Sequence, residues 1–271
     1  LIPPTKSQIF VLKSDYDSTN KTKITSEIAV SNNDANLFSN LDNAENTGLA
    51  AKIGWEQILI DRNWQLTSKF NHEYAHQNFK TLQCWESIEF NRDWNLLTNN
   101  ATKNYFQSEI NLQNKNKDYV LYSFKNLNYL NTYNGNKHLL ASKIKLKKTS
   151  FFVNASLLNN TSTIENNTFL RAKATIEHSF KKSWLGAFTN IETNNRKLTK
   201  TNTYANTSHR FKEFETYFGL GDTTKVFAKF GFNYRNNDSI KSNQFKEINN
   251  RKTIYINSKL IKSKNTNLSV Y

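Results

Sequence analysis

The chain has 271 residues, a formal net charge of +15 and a mean hydropathy of -0.72, with 37% hydrophobic and 13% aromatic residues. That aromatic content argues against a disordered chain, and the lack of any apolar run of about 18 residues excludes a helical membrane span. Cys84 is the single cysteine, so an internal disulfide is excluded, and the positive charge is spread without a basic block, as solvated lysine faces or an anion-binding surface would be. The opening Leu-Ile-Pro-Pro and a last stretch, Ser269-Val270-Tyr271, that reads as strand suggest an excerpt of a longer protein, with residues 1–271 forming one β-region.

In chain order, Ile9 to Leu12 reads as a short strand, and Lys23 to Ser31 places Ile24, Ile28 and Val30 on one face. An Asn- and Asp-rich loop, Asn32 to Thr47, follows. Leu49, Ala51, Ile53 and Trp55 then alternate with Lys52 and Glu56, and a short turn at Asp61-Arg62-Asn63 leads into Trp64, Leu66, Phe70 and Tyr74. Gln77 to Asn100 is irregular, with strand expected over Cys84 to Phe90. Phe106, Ile110 and Leu112 resume the alternation, and Val120, Tyr122 and Phe124 return after a short turn. Asn126 to Asn136 reads as a long loop with a turn at Asn134-Gly135. Leu140, Ile144 and Leu146 pass a short turn into Phe151, Val153, Ala155 and Leu157. Asn159 to Thr168 is the next expected long loop.

Leu170, Ala172, Ala174 and Ile176 then alternate with Arg171, Lys173 and Glu177, and Trp184 to Glu192 returns before a loop over Thr193 to Ser208. Arg210 to Leu220 is a weaker strand. The clearest strand is Lys225 to Arg235: Val226, Ala228, Phe230, Phe232 and Tyr234 fall on one side, Lys225, Lys229, Asn233 and Arg235 on the other, with Phe227 out of place. Asn236 to Asn250 reads as a long loop before a strand over Thr253 to Lys262.

Connections that alternate long and short, between strands of roughly 9 to 13 residues with one apolar face, predict an all-β, antiparallel up-and-down meander. A transmembrane β-barrel places its short turns on one side of the membrane and its long loops on the other. The predicted lipid-facing residues are Val226, Ala228, Phe230, Phe232, Tyr234, Leu170, Ala172, Ala174 and Ile176. Trp64 and Trp184, each following a short turn, stand where an aromatic belt would lie. Opposite the apolar face, Lys52, Lys69, Lys143, Lys145, Arg171, Lys173, Lys212 and Lys229 predict a basic lining that favours anions. Scarce glycine, and Ser26, Ser68, His72, Ser142 and His178 on the predicted lipid face, fit a soluble sheet better. The alternative is therefore a soluble all-β module whose basic face docks an anionic glycan or a protein.

His72-Glu73-Tyr74-Ala75-His76 matches the H-E-x-x-H zincin pattern, which needs both histidines one helical turn apart. Here the flanks alternate as a strand does, which would hold the histidines roughly 13 Å apart, so no metal site, cofactor or catalytic residue is predicted. Glu213 and Glu215 share a strand face, as ion-pair partners for the many lysines.

Phe90-Asn91-Arg92-Asp93-Trp94, Tyr133-Asn134-Gly135-Asn136-Lys137-His138 and the run from Ile261 to Val270, on an Asn- and Lys-rich background, resemble a large outer-membrane β-barrel family of Bacteroidota. The resemblance spans most of the chain and implies an outer-membrane location, a role in transport, secretion or envelope assembly, and a longer parent chain. It implies outer-membrane lipid and other envelope proteins as partners, and no nucleic acid.

Overall fold

The computed structural model describes residues 3–18, 21–39, 41, 43–82, 86–97, 100–222, 227–262 and 267–270. The fold is all-β. Fourteen strands follow one another in sequence: β1 (Lys6–Ser18), β2 (Thr22–Asp34), β3 (Thr47–Asp61), β4 (Trp64–Ala75), β5 (Lys103–Asn114), β6 (Tyr119–Tyr129), β7 (Tyr133–Leu146), β8 (Thr149–Ser162), β9 (Glu165–Ser179), β10 (Ser183–Leu198), β11 (His209–Gly221), β12 (Phe227–Lys241), β13 (Gln244–Lys262) and β14 (Asn267–Val270). Spatial order repeats chain order from β1 to β14, an antiparallel up-and-down meander whose two end strands are not paired with one another among the described residues. A single helical turn, α1 (Phe90–Asp93), lies between β4 and β5.

Two compact units divide these strands. One comprises Leu1–Leu112, Tyr122–His138 and Leu158–Thr163; the other comprises Gln113–Leu121, Leu139–Leu157 and Ile164–Tyr271.

The strands are longer than their apolar alternation suggests. β1 covers thirteen residues rather than the short stretch around Ile9 to Leu12. Three stretches expected to be long loops are strand with tight turns: Asn126 to Asn136 turns at residues 130–132, Asn159 to Thr168 at 163–164, and Asn236 to Asn250 at 242–243. Gly135, expected in a turn, lies inside β7. The longer connections between described strands are residues 35–46, 76–102 and 199–208. The physical reason is that Asn, Ser and Thr on both faces continue a backbone ladder without producing any hydrophobic alternation. Cys84 lies outside the described residues, and the part of its predicted strand that is described, residues 86–90, runs through a turn into α1.

Antiparallel pairing sorts side chains by face, since directly opposed residues project to the same side. In the second unit one face carries the row His178, Leu185, Phe218, Phe230 and Ile256, then Ile176, Ala187, Thr216, Phe232 and Ile254, then Ala174, Thr189, Phe214, Tyr234 and Lys252. In the first unit the same logic aligns Leu12, Ile28, Ala51 and Tyr74, and Tyr16, Ile24, Trp55 and Phe70. An edge-on aromatic contact joins Phe70 to Phe106 at 5.0 Å, and Phe106 lies 6.2 Å from Phe124.

Burial is inverted relative to a water-soluble domain. Among the described residues eight apolar side chains are buried against fifteen polar or charged ones. Phe214, Phe218, Phe230, Phe232, Leu185, Ile176, Ile254 and Ile256 are exposed. In the second unit the apolar band runs from Phe214 to Leu220 on β11 and from Ala228 to Tyr234 on β12, after which the same face carries Lys212 and Arg210 on β11 and Asn236 and Asp238 on β12. Seven residues at strand rise span about 23 Å.

The β12–β13 turn is a tight hairpin in which Ser242 (φ 52°) and Asn243 (φ 58°) are both left-handed, as a type I′ turn requires. Asn243 Oδ1 also accepts the Tyr204 backbone N–H at 2.7 Å. Asn243→Val is expected to lower stability by about 1–2 kcal/mol through left-handed strain, read as a lower midpoint in heat denaturation. Asn243→Gly keeps the turn and loses only the bond to Tyr204, so its midpoint falls between the two.

Candidate functional site

The chemistry of the second unit is concentrated on the polar face of β9 to β13. The row Glu177, Gly186, Tyr217, Gly231 and Tyr255 crosses five strands in register. Its glycines alternate with tyrosines for a steric reason. A Cβ at Gly186 would meet the Tyr217 ring, and one at Gly231 would meet the Tyr255 ring, so each ring lies flat on its neighbour's bare backbone. So seated, Tyr217 donates its hydroxyl to Glu177 at 2.9 Å, and Tyr255 donates to Glu215 at 2.5 Å. Lys229 pairs with Glu215 at 3.0 Å and stands 3.8 Å from the Tyr217 ring centroid. Asn233 donates to Glu213 at 2.9 Å. Glu215 is thus held by phenol and ammonium donors and is ion-paired as expected, whereas Glu213 is held by the Asn233 amide.

Farther along the same face, Arg196 and Glu165 pair at 2.7 Å, and His209 meets Glu192 at 2.9 Å. The next row, Lys173, Asn190, Glu213, Arg235 and Arg251, carries three cations around one carboxylate. The Arg235 guanidinium lies 4.6 Å from the Phe211 ring centroid.

In the first unit the connection between β4 and β5 folds back onto the polar face as a strap. Gly48 makes this possible, because a Cβ there would collide with the backbone of Asn78 and Phe79. Lys80 donates its backbone N–H to Ser31 Oγ at 3.1 Å. Lys103 pairs with Glu86 at 2.8 Å and lies 4.0 Å from Glu73; Lys137 pairs with Asp93 at 3.4 Å. The side chains of both lysines are less than a tenth exposed, so each ammonium has given up water for a carboxylate and a ring face. Phe90 lies under Lys103 at 5.0 Å and Trp94 under Lys137 at 5.5 Å. Tyr133 donates its hydroxyl to the Trp94 carbonyl at 2.6 Å, closing the strap onto β7. Composition gave no sign of the strap: its anchors are single residues spread over β2, β3, β5 and β7.

Of the predicted basic residues, Lys52 pairs with Glu73 at 3.0 Å, Lys69 with Glu56 at 3.2 Å, and Lys229 with Glu215. Arg171 lies 4.7 Å from the Phe169 ring centroid, and Lys173 is exposed on the polar face. Lys143 and Lys145 are exposed on β7, and Asp118 accepts the Lys145 backbone N–H at 2.9 Å. Lys212 requires a correction. It opposes Ile191 and Asn236, so it shares the face of Ala172 and stands at the polar fringe of the apolar band. Its number has the parity of Phe214 and Phe218, which settles its side.

Among the predicted lipid-facing residues, Leu170, Ala172, Ala174, Ile176, Ala228, Phe230, Phe232 and Tyr234 share one face; Val226 lies outside the described residues. Trp64 is exposed at the start of β4. Trp184 departs from the expected belt: it is buried on the polar face over Gly219, 6.2 Å from Phe227. This contact also accounts for Phe227, the one fault in the alternation of β12.

The H-E-x-x-H segment is split by its strand. His72 opposes Ile53 on the apolar face, Glu73 opposes Lys52 on the polar face, and His76 lies past the end of β4. No group of three His, Cys, Asp or Glu able to hold a metal occurs among the described residues. No family model and no curated protein matches the chain.

Substitutions in both units probe these clusters. Gly231→Val lifts the Tyr255 ring and separates its hydroxyl from Glu215; overpacking of this kind costs about 1–3 kcal/mol, visible as a lower unfolding midpoint, whereas Tyr255→Phe costs less. The paired change Lys103→Met and Lys137→Met leaves Glu86 and Asp93 without their ammonium partners and frees the strap. Tryptic cleavage after Arg92 is then expected to accelerate about tenfold or more at unchanged strand content by circular dichroism.

Proposed function

We propose that the chain is the membrane-crossing part of an outer-membrane β-barrel, with its apolar face toward lipid and its polar face lining a passage for transport or secretion. The observation that carries this reading is the inversion of burial. Phenylalanine, leucine and isoleucine rows stand exposed on one face while lysines, glutamates and asparagines are buried on the other. In water, a continuous apolar face of this size needs a covering layer; in a bilayer, hydrocarbon supplies it. The band runs about 23 Å along the strands, which a barrel tilt of about 40° reduces to about 18 Å across the membrane, at the short end of what the apolar belt of such barrels needs. Strands that continue beyond it, where lysine, arginine, asparagine and aspartate replace the apolar row, would stand clear of the membrane as a collar of sheet.

The strap and the paired charges describe what such a passage would admit. Three of the eight expected basic residues, Lys52, Lys69 and Lys229, are neutralised by glutamates. Net positive charge persists at the row of Lys173, Arg235 and Arg251, which favours anionic solutes or an acidic segment of a partner. The resemblance to the Bacteroidota barrel family points the same way, toward an envelope role without catalysis.

The test is fractionation of cells expressing the protein. Recovery in the outer membrane, extraction only by detergent, and an electrophoretic mobility that shifts on heating are expected. Phe232→Arg places a charge in the middle of the apolar band, where it costs about 2–4 kcal/mol in lipid, so the heat-shifted folded form should fall sharply. A monomer soluble without detergent, and indifferent to Phe232→Arg, would overturn the reading.

A further inference from the structure

Under the first part of the strap lies a cavity of about 580 Å³ formed entirely within the first unit. Its floor is formed by Val11, Ala29 and Ala50 of one register row, in which the small alanines leave a trough across β1, β2 and β3. Phe79, Thr81 and Leu82 of the strap and Ile9 of β1 enclose it. Along one side runs the adjacent row Lys13, Glu27, Lys52 and Glu73, whose charges alternate strand by strand.

The pairing within that row is uneven. Lys52 turns to Glu73 at 3.0 Å, and Lys13 turns to Asp15 at 3.3 Å. Glu73 is further approached by Lys103 at 4.0 Å. Both cations beside Glu27 are therefore engaged elsewhere, and among the described residues none lies within ion-pairing distance of its carboxylate. Glu27 is half-buried and lines the cavity. A partly desolvated carboxylate beside an apolar trough has one kind of complement, a cation attached to an apolar body.

We propose that this cavity is a binding site for a small amine with an aliphatic or aryl tail, its ammonium on Glu27 and its tail along Ala29 and Ala50 under Phe79. An anionic amphiphile is disfavoured by Glu27 and Glu73 flanking Lys52. The strap forms the outer wall, so occupancy and strap position are coupled: a ligand bridging Glu27 and Phe79 holds the strap down. The site belongs to one unit and does not depend on whether the apolar face meets lipid.

The experiment is calorimetric titration of the purified protein, in nonionic detergent, with octylammonium chloride and with octanol. Saturable binding of octylammonium is expected, with octanol about tenfold weaker or more, the usual weight of a charge-assisted contact. Glu27→Gln should abolish the difference between the two probes while leaving octanol binding in place. Ala50→Trp, which fills the trough, should abolish saturable binding of both and so measures partition into micelles. Glu27→Asp retains the charge and serves as the second variant, expected to keep a preference for the amine; circular dichroism confirms that each variant is folded. Equal binding of amine and alcohol to the unaltered protein, an amine preference that survives Glu27→Gln, or heats that Ala50→Trp does not change would each overturn the proposal. Membrane fractionation of the unaltered protein reads the barrel assignment separately from all of these outcomes.

Discussion

The rest of the structure depends on one constraint, that charges drawn together on a partly buried sheet face are met by side chains of that same face, with Glu27 and the side-chain amides of Asn160 and Asn167 as exceptions among the described residues. Register supplies the partners. Lys52 opposes Glu73, and Lys69 opposes Glu56, because antiparallel pairing brings them to the same height on neighbouring strands. Lys229 reaches Glu215 from two rows along the strand, across the Tyr217 ring, while Tyr255, seated on Gly231, reaches the same carboxylate from β13. A slip of one residue in any of these pairings would send charges to the apolar face and phenylalanines to the polar one, so the charge network and the register specify each other.

Glycine is scarce in the chain, and its placement shows how the constraint is met sterically. Gly186, Gly219 and Gly231 each leave room for a ring from the neighbouring strand, and Gly48 leaves room for backbone. The first three let aromatic side chains lie against the sheet, and over Gly186 and Gly231 the tyrosine hydroxyls so placed reach carboxylates. The last lets the strap settle directly on β3. Serine and histidine on the apolar face remain a local exception: Ser14, Ser26, Ile53 and His72 form one row there, while His178 finds a partner in Thr149 Oγ1 at 2.8 Å.

How much of this was legible depended on whether hydrophobicity alternated. Phe230, Phe232 and Tyr234 announced their strand and their side, and so did Leu170 through Ile176. Asn236 to Asn250 announced nothing, because a largely polar strand looks like a loop to any reading based on hydrophobic period; its turn shows only in the left-handed φ of Ser242 and Asn243. The face of Lys212 was readable from its parity with Phe214. The inward position of Trp184 was not, since it depends on Gly219 lying opposite it in register. The strap was illegible for a related reason: Lys103, Lys137 and Tyr133 look like ordinary strand residues until α1 is laid against them. Glu27 becomes distinctive only when the partners of Lys13 and Lys52 are known.

The anchors of the strap also fix an order of events in folding. An up-and-down meander can grow hairpin by hairpin, each strand joining its predecessor through contacts close in sequence. The strap breaks this locality. Phe79 and Lys80 rest on β2 and β3, which precede them, but Trp94 and Asp93 are held by Tyr133 and Lys137 of β7, which come some forty residues later. The segment can therefore be half seated when β5 pairs with β4 and fully seated only when β7 arrives, so the polar face between β2 and β7 stays open to solvent, and to any chain passing across it, until that strand is in place.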